Sequence, residues 1–508
     1  MRIGVAALLV MAAAGCGGAT PAAHRETLLY NGKIFTADFD RPWVEALLVR
    51  GDRIVAAGTT DDLLAGLNPS ATAIDLRGRA VIPGFDDAHD HVTPSLPSQF
   101  VATSGGPMPD PTFREVADSL RAAVARVPAG TRLVMQVGAR VLDDYRARRP
   151  ALDAIAPRHP VQLRGWTGHG MVVNSAELAA AGIDEATPDP QGGWFERGGS
   201  GRLTGRLDEY AMFNLAVRQT TQDPAAAVEA LRARAQQAVA WGTTSIQNMP
   251  IGLEAATVGR VVDSLDLPIR VRMIAVPGTT AAGREPAPWR GILGGPVDRV
   301  DVSGVKYILD GTPVERLALH RRPYADRPGW YGRANFPPDT VRAILREVLA
   351  AQEQPLFHAA GDSAIAILLN AMTELAPDSA WQRLRVRLEH ADGLAPDQLE
   401  QVRRPGIAVG QNPSHSPLCP LAVARYGAAR VRSYQPMRSL LDHGIMLALG
   451  SDGPTNPFLN LMFAVVHPGN PAEALTMEQA VRAYTLGSAY AQGREGVRGR
   501  LVVGMVAD

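Results

Sequence analysis

The chain has 508 residues, more than one ordinary core accommodates, so several domains or one large barrel with a satellite are expected. Its 51 basic and 51 acidic residues cancel, which excludes the cationic footprint of a nucleic-acid or anionic-surface binder. The 50 Gly and 39 Pro stay below a disordered composition, and two cysteines, Cys16 and Cys419, cannot build a disulfide framework or a zinc finger.

At the start of the chain, Arg2 precedes an apolar run from Ile3 to Ala14 that is too short to span a bilayer but suits a secretory signal. It ends in Ala13-Ala14-Gly15-Cys16, which resembles a bacterial lipobox with Ala13 where Leu is usual. Residues 1–16 are therefore read as a lipoprotein-type signal peptide with Cys16 lipidated; an ordinary signal cleaved nearby is the alternative. Either reading exports the protein. Gly17 follows the cysteine, which favours the periplasmic face of an outer membrane or the cell surface, and residues 17–26 read as a flexible tether.

Residues 27–80 contain short strand-like runs, Leu28 to Thr36 and Ala46 to Gly58, with Asn31-Gly32 and Gly51-Asp52 as turn signals, and so form the N-terminal part of a small β-sandwich satellite. From 81 to 490 short apolar strands alternate with longer helical windows, the pattern of a parallel sheet with crossover helices. Eight strands are expected, at 80–89, 243–248, 269–275, 302–309, 355–358, 385–390, 406–412 and 445–451, between helical windows such as Pro224–Ala240, Asp339–Gln352, Ser363–Leu375 and Pro436–His443. The fold class is thus α/β, a (β/α)8 TIM-like barrel. An insertion at about 94–240, with strand-like runs at Leu133–Val137 and Val161–Arg164, is expected to build the substrate pocket.

Of eleven histidines, His24, His159, His320, His443 and His467 fall in tether, loop or helix-end contexts that need no catalytic reading. The other six are His89, His91, His169, His358, His390 and His415. Side chains alternate along a strand, so His89 and His91 share a face while Asp90 turns away. His358 and His390 each end a later strand, and Asp452 follows the last one. Four imidazoles and a carboxylate on the C-terminal rim of a barrel suit zinc or a similar divalent ion. Lys33 and Lys306 are the only lysines, so a generic positive charge in this chain is Arg; position 306 then reads as needing an amine that can lose its proton, the alternative being a lysine that pairs with Asp310 or another rim carboxylate beside a single metal.

The ordered blocks Asn31-Gly32-Lys33-Ile34, Pro83-Gly84-Phe85 with His89-x-His91, Gly168-His169-Gly170 to Asn174-Ser175, Gly192-Gly193, Thr204-Gly205, Val305-Lys306 with Asp310-Gly311, His358 to Asp362, Arg387-Leu388-Glu389-His390, Gln411 to His415 and Gly450-Ser451-Asp452 resemble the amidohydrolase superfamily. Within it they resemble amidohydrolase family 3, the group that includes N-substituted formamide deformylase. The resemblance implies that His89 and His91 bind the more buried metal, that Lys306 as a carbamate bridges two ions, and that His358 and His390 hold the second. It implies that Asp452 binds metal and carries the proton of the attacking water. His169 and His415 stay open between substrate contact, carbonyl polarisation and a structural role in loops; Asp310 and Asp362 fit a turn or supporting role better than catalysis.

Three departures stand out. Asp86 and Asp90 add carboxylates that could perturb the charge of the metal site, and Asn248 stands where Asp is common. Residues 491–508 read as the start of a return to the β-sandwich that stops where the family continues, so residues 28–80 are expected to leave an unpaired edge. The expected function is an exported metal-dependent amidohydrolase cleaving a C–N bond of an amide, N-substituted formamide or cyclic amide, with one or two ions, a small-molecule substrate, a membrane contact through the lipid anchor and no nucleic acid. A metal-dependent esterase or phosphoesterase on the same barrel, and a non-catalytic exported metal- or ligand-binding protein, are the alternatives. A homodimer is left open.

Overall fold

Eight parallel strands form the central sheet of the computed structural model, which describes residues 26–103, 106, 108–285 and 299–508. They are β1 Phe85–Asp90, β2 Thr243–Asn248, β3 Arg270–Ala275, β4 Val300–Ile308, β5 Pro355–Ala359, β6 Arg387–His390, β7 Ala408–Gln411 and β8 Leu447–Leu449, in simple sequential order. Each expected strand is present. The seam between β8 and β1 is tied at its C-terminal end, where Asp452 N–H donates to His89 O (2.9 Å) and Ser451 N–H to an oxygen of Asp87 (2.8 Å). Gly450 permits that approach, since a Cβ there would lie 2.4 Å from His89 Cβ.

The first strand departs from expectation at its start. Ala80–Val81 pairs with Lys33–Phe35 in the satellite, and the barrel strand begins only at Phe85. Pro83 has no N–H to give a ladder, and Gly84 turns the chain over Thr244, where a Cβ would sit 2.4 Å from the threonine side chain.

Helices cover the barrel as the sequence dictates. Pro224–Ala240 starts from Asp223, whose side chain accepts from Ala225 N–H, has Pro at its first position, and buries the face Ala227, Val228, Leu231, Arg234, Ala235 and Ala238. Arg234 on that face reaches Asp90 (2.6 Å) and Asp87 (3.3 Å). Asp86 accepts instead from Gln247 (3.2 Å) and Gln492. The additional carboxylates of β1 are thus engaged by Arg234, Gln247 and Gln492, and Asp90 also accepts from the N–H of His91 (2.8 Å). Asn248 bonds Val92 through both ends of its amide, fixing the chain just beyond His91.

The satellite consists of a four-stranded sheet (53–58, 46–50, 26–30, 72–75) and a three-stranded one (43–44, 33–35, 80–81), packed around Ile34, Val44, Leu47, Ile54, Leu76 and Met505. Asn31 and Gly51 both take positive φ at the expected turns. Residues 504–507 run beside the edge strand 53–58, with Ile54 N–H on Met505 O (2.9 Å) and Ala507 N–H on Asp52 O (2.8 Å). Strand 72–75 forms the other edge, with Ile74 43% exposed. Cys16 and nearly all of the expected tether lie outside the described residues.

The insertion folds around its own six-stranded sheet, whose strands are ordered 193–197, 203–209, 170–173, 161–165, 133–137 and 99–100, with a separate apolar core of Val116, Leu120, Leu133, Met135 and neighbours. This sheet leans its Trp166 to His169 turn over the C-terminal rim of the barrel and walls one side of a cavity there. Among the described residues no helix is long and apolar enough to cross a membrane.

Candidate active site

The six ligand-type residues converge at that rim. His89 and His91 project from the same face of β1 with their Nε2 atoms 3.1 Å apart, and Lys306, from β4, places Nζ 2.8 Å from His89 Nε2. An oxygen of Asp452 lies 3.4 Å from His91 Nε2 and 3.8 Å from His89 Nε2. His390 and His358, from β6 and β5, pack edge-on with ring centroids 4.4 Å apart, and His390 lies 4.9 Å from the ring of His89.

What fixes these imidazoles is as telling as where they are. His89 Nδ1 bonds Glu389 (2.7 Å), His91 Nδ1 the carbonyl of Met249 (2.9 Å), and His390 Nδ1 the side-chain oxygen of Asn412 (2.8 Å). With Nδ1 anchored, the Nε2 atoms of His89 and His91 face Asp452, the arrangement that metal-ligating histidines require; at His390 it is Nδ1 that lies 3.9 Å from Asp452. Burial opposes the charge of Glu389, but Arg387 and the bond from His89 hold its carboxyl down at about 2. Burial also keeps His89, His358 and His390 below the usual imidazole range, so they are neutral and able to ligate.

His390 and Asp452 both sit at positive φ (67° and 46°), a conformation costing roughly 1–3 kcal/mol per residue that the tight strand-to-loop turns impose. The donor set also passes a test of fit for a divalent ion. Nε2 of His358 is buried with no hydrogen-bond partner, and two groups of three donors, His89-His91-Asp452 and His390-His415-Asp452, each lie close enough to share one ion. The shared member of both groups is Asp452. The second group contains His415 where the sequence pointed to His358; His358 stands instead between His390 and His169.

Lys306 is 3% exposed, and burial pushes its amine down to about 8. An amine so placed is unprotonated often enough to react with carbon dioxide near neutral pH. Asp310 accepts three backbone N–H groups, from Leu319, Ala360 and Gly361, and burial raises its carboxyl to about 8. Asp362 accepts from Arg321 N–H and faces His320. Both therefore brace loops and neither lines the cavity, although an oxygen of Asp310 lies 3.9 Å from His358 Nε2.

His169 and His415 flank the site, each backed by a carboxylate that sequence reasoning missed. His169 Nδ1 lies 3.0 and 3.1 Å from the two oxygens of Glu209, which also accepts from Asn335 (2.9 Å). Burial works against protonation of His169, yet Glu209 raises its pKa. Glu209 is fully buried and at φ 54°, and Gly311 leaves room for it, since a Cβ there would lie 2.2 Å from the carboxylate. One signal was present: Leu203, Gly205 and Leu207 form the buried face of 203–209, and the same period places Glu209 on it. His415 stands between Asp392 (3.4 Å from Nδ1) and Asp452 (3.6 Å from Nε2). Burial pulls its pKa down, but the two carboxylates push it up to about 10.

The cavity in front of these groups has a volume of about 270 Å³. Its chemical side carries His91, Lys306, His358, His390, Asp452, His169 and His415, and Trp166, Met212, Phe213, Ala216, Ile251 and Leu418 supply much of the apolar wall.

Comparison with known proteins agrees with this architecture. The sequence profile of the Amidohydrolase family matches residues 72–508. The chain is 26% identical over 543 residues to N-substituted formamide deformylase of Arthrobacter pascens, covering 95% of this chain and 92% of the relative. It is 27% identical over 518 residues to the protein LONG AFTER FAR-RED 3 of Arabidopsis thaliana, covering 95% and 86%. The fold is similar to that of an uncharacterized metal-dependent hydrolase from Pyrococcus horikoshii, with a TM-score of 0.68 at 20% identity over 95% of this chain and 96% of the other. A match that runs from the last satellite strands through every block of the barrel leaves one assignment: the chain belongs to the amidohydrolase family, enzymes that hydrolyse carbon–nitrogen bonds.

Proposed function

We propose that the protein is an exported, metal-dependent hydrolase of the C–N bond of a small amide, N-substituted formamide or cyclic amide. The observation that carries this reading is the convergence of His89, His91, Lys306, His358, His390 and Asp452 on one rim of the barrel, with Nδ1 of His89, His91 and His390 anchored and Nε2 of His358 without a hydrogen-bond partner. His89 and His91 would hold one zinc ion and His358 and His390 a second, with Asp452 and a carboxylated Lys306 contributing to the same site; His415, held as a cation by Asp392 and Asp452, is not counted as a ligand. When bound, the metal supplies a water made acidic near neutral pH and polarises the scissile carbonyl.

The chain's own groups do the rest. Asp452, kept ionised against its burial by the charged His415 beside it, accepts the proton of the attacking water and passes it to the leaving nitrogen. His169 donates from Nε2 to the carbonyl oxygen, its Nδ1 being taken by Glu209. His415 holds Asp452 from the other side and contacts the substrate. Among the described residues no arginine lines the cavity, which favours an amide over a phosphoester. The deformylase relative supports formamides as a substrate within this class.

The test is hydrolysis of N-acyl amines, cyclic amides and aryl esters by zinc-loaded protein. Amine release is expected; turnover of esters alone would replace the reading by the esterase one. Export rests on Ile3 to Cys16, and Cys16→Ser is expected to move the protein from the membrane to the soluble fraction. Unchanged membrane association would refute the lipid anchor.

A further inference from the structure

The cavity has two chemically distinct linings. One is occupied by groups already committed to one another: Lys306 to His89 (2.8 Å), Asp392 to His415 (3.4 Å), and Asp452 to the imidazoles. The other, made by Trp166, Met212, Phe213, Ala216, Ile251 and Leu418, offers no charge at all. Although 51 residues of the chain are Lys or Arg, Lys306 is the only one of either type that lines the cavity among the described residues.

The polar residues beside that lining work against anions as well. Thr167 and Thr312 both turn their hydroxyls back to the buried carboxylate of Glu315, and His169 is backed by the buried Glu209. Two carboxylates, 4% and 0% exposed, thus stand directly behind the residues a substrate would touch. An anionic group seated against this apolar lining, away from the histidine side, would lose its water and find no Lys or Arg beside it; an apolar group would lose only water it holds poorly.

We infer that the substrate is a small neutral amide whose group away from the scissile bond is apolar, an aryl or branched alkyl group, and that N-acyl amino acids and other carboxylated amides are excluded. The inference rests on the amide-hydrolase reading above, which places the scissile bond at the histidine side and so leaves the rest of the molecule to the apolar lining.

Matched pairs test it: N-formylphenethylamine against both enantiomers of N-formylphenylalanine, and acetanilide against 4-acetamidobenzoate, each differing by one carboxylate. With zinc-loaded protein, kcat/KM is expected to favour the neutral member by at least about 100-fold, the scale of an unpaired buried charge. Leu418→Arg, at the half-exposed part of the wall, is expected to narrow that ratio to about 10-fold or less by raising turnover of the carboxylated member; Ala216→Arg serves if that variant does not fold. Equal or better turnover of the carboxylated members overturns the inference. Should none be hydrolysed, calorimetric binding decides. Tighter binding of the neutral members upholds the substrate class while overturning the amide-hydrolase reading; equal or tighter binding of the carboxylates, or no binding of either, overturns the substrate class.

Discussion

Replacing Glu209 by Gln tests how the site holds His169. The carboxylate faces two donors, His169 Nδ1–H at 3.0 Å and Asn335 Nδ2 at 2.9 Å. A glutamine of the same shape offers one oxygen and one NH2, so one of the two donors must face another donor. A lost hydrogen bond to a charged group is worth about 1.5–3 kcal/mol. If it falls on the transition state, that is a loss of about 10–100-fold in kcat.

The pH profile gives a second readout. His169 has a raised pKa in the folded protein, so the pair's contribution to stability is fully present below the unfolded value of 6.5 and is lost as pH rises through the folded value. Glu209→Gln is therefore expected to lose thermal stability mainly below that pH and to shift the alkaline limb of kcat downward. Steady-state kinetics and melting curves across pH measure both. An unchanged kcat and pH profile would refute a role for Glu209 in positioning His169, and a drop in stability with kcat intact would reduce Glu209 to a structural residue.

Three further outcomes are expected. Lys306→Ala should lower metal content from two ions to about one, measured by elemental analysis, with activity partly restored by short-chain carboxylic acids; one ion in the unmodified protein and near-normal activity in the variant would remove the bridge. Gly450→Ala should push β8 away from His89, where a Cβ would lie 2.4 Å from His89 Cβ, destabilising the protein by about 1–3 kcal/mol in urea titrations and weakening metal retention. Glu389, held at about 2, contributes stability that is present above the unfolded value of 4.5 and lost as pH falls through about 2. Melting temperatures of Glu389→Gln and the unmodified protein should accordingly converge across that acid range, and a gap that persists at pH 2 would contradict the assignment.

Much of the barrel was legible because its signals are local. An apolar run ending in His358 or His390 marks a strand and its active end at once, and His89-x-His91 fixes a shared face by alternation alone. The first strand was placed early by five residues because Ala80–Val81 is also apolar; its pairing with Lys33–Phe35 is a tertiary fact that composition does not carry. The insertion's sheet was hidden for a similar reason, since strand 193–197 takes the outer edge and 203–209 lies inside it, an order that adjacency in sequence does not suggest.

In the site, the candidate ligands were readable and the residues that hold them in place were not. Glu209 lies 40 positions from His169, and Asp392 lies 23 from His415. Only the folded chain brings these pairs together. The same holds for the apolar wall: Trp166, Met212, Ile251 and Leu418 come from four separate segments, and none announces a pocket by itself.

Metal stoichiometry measured against hydrolysis rate tests the central claim most directly. Protein stripped by chelator and titrated with zinc should regain C–N bond hydrolysis in proportion to bound metal, and His89→Asn and His390→Asn should each bind less and turn over at least about 100-fold more slowly. Full hydrolysis by metal-free protein, or a rate indifferent to both substitutions, would contradict the account.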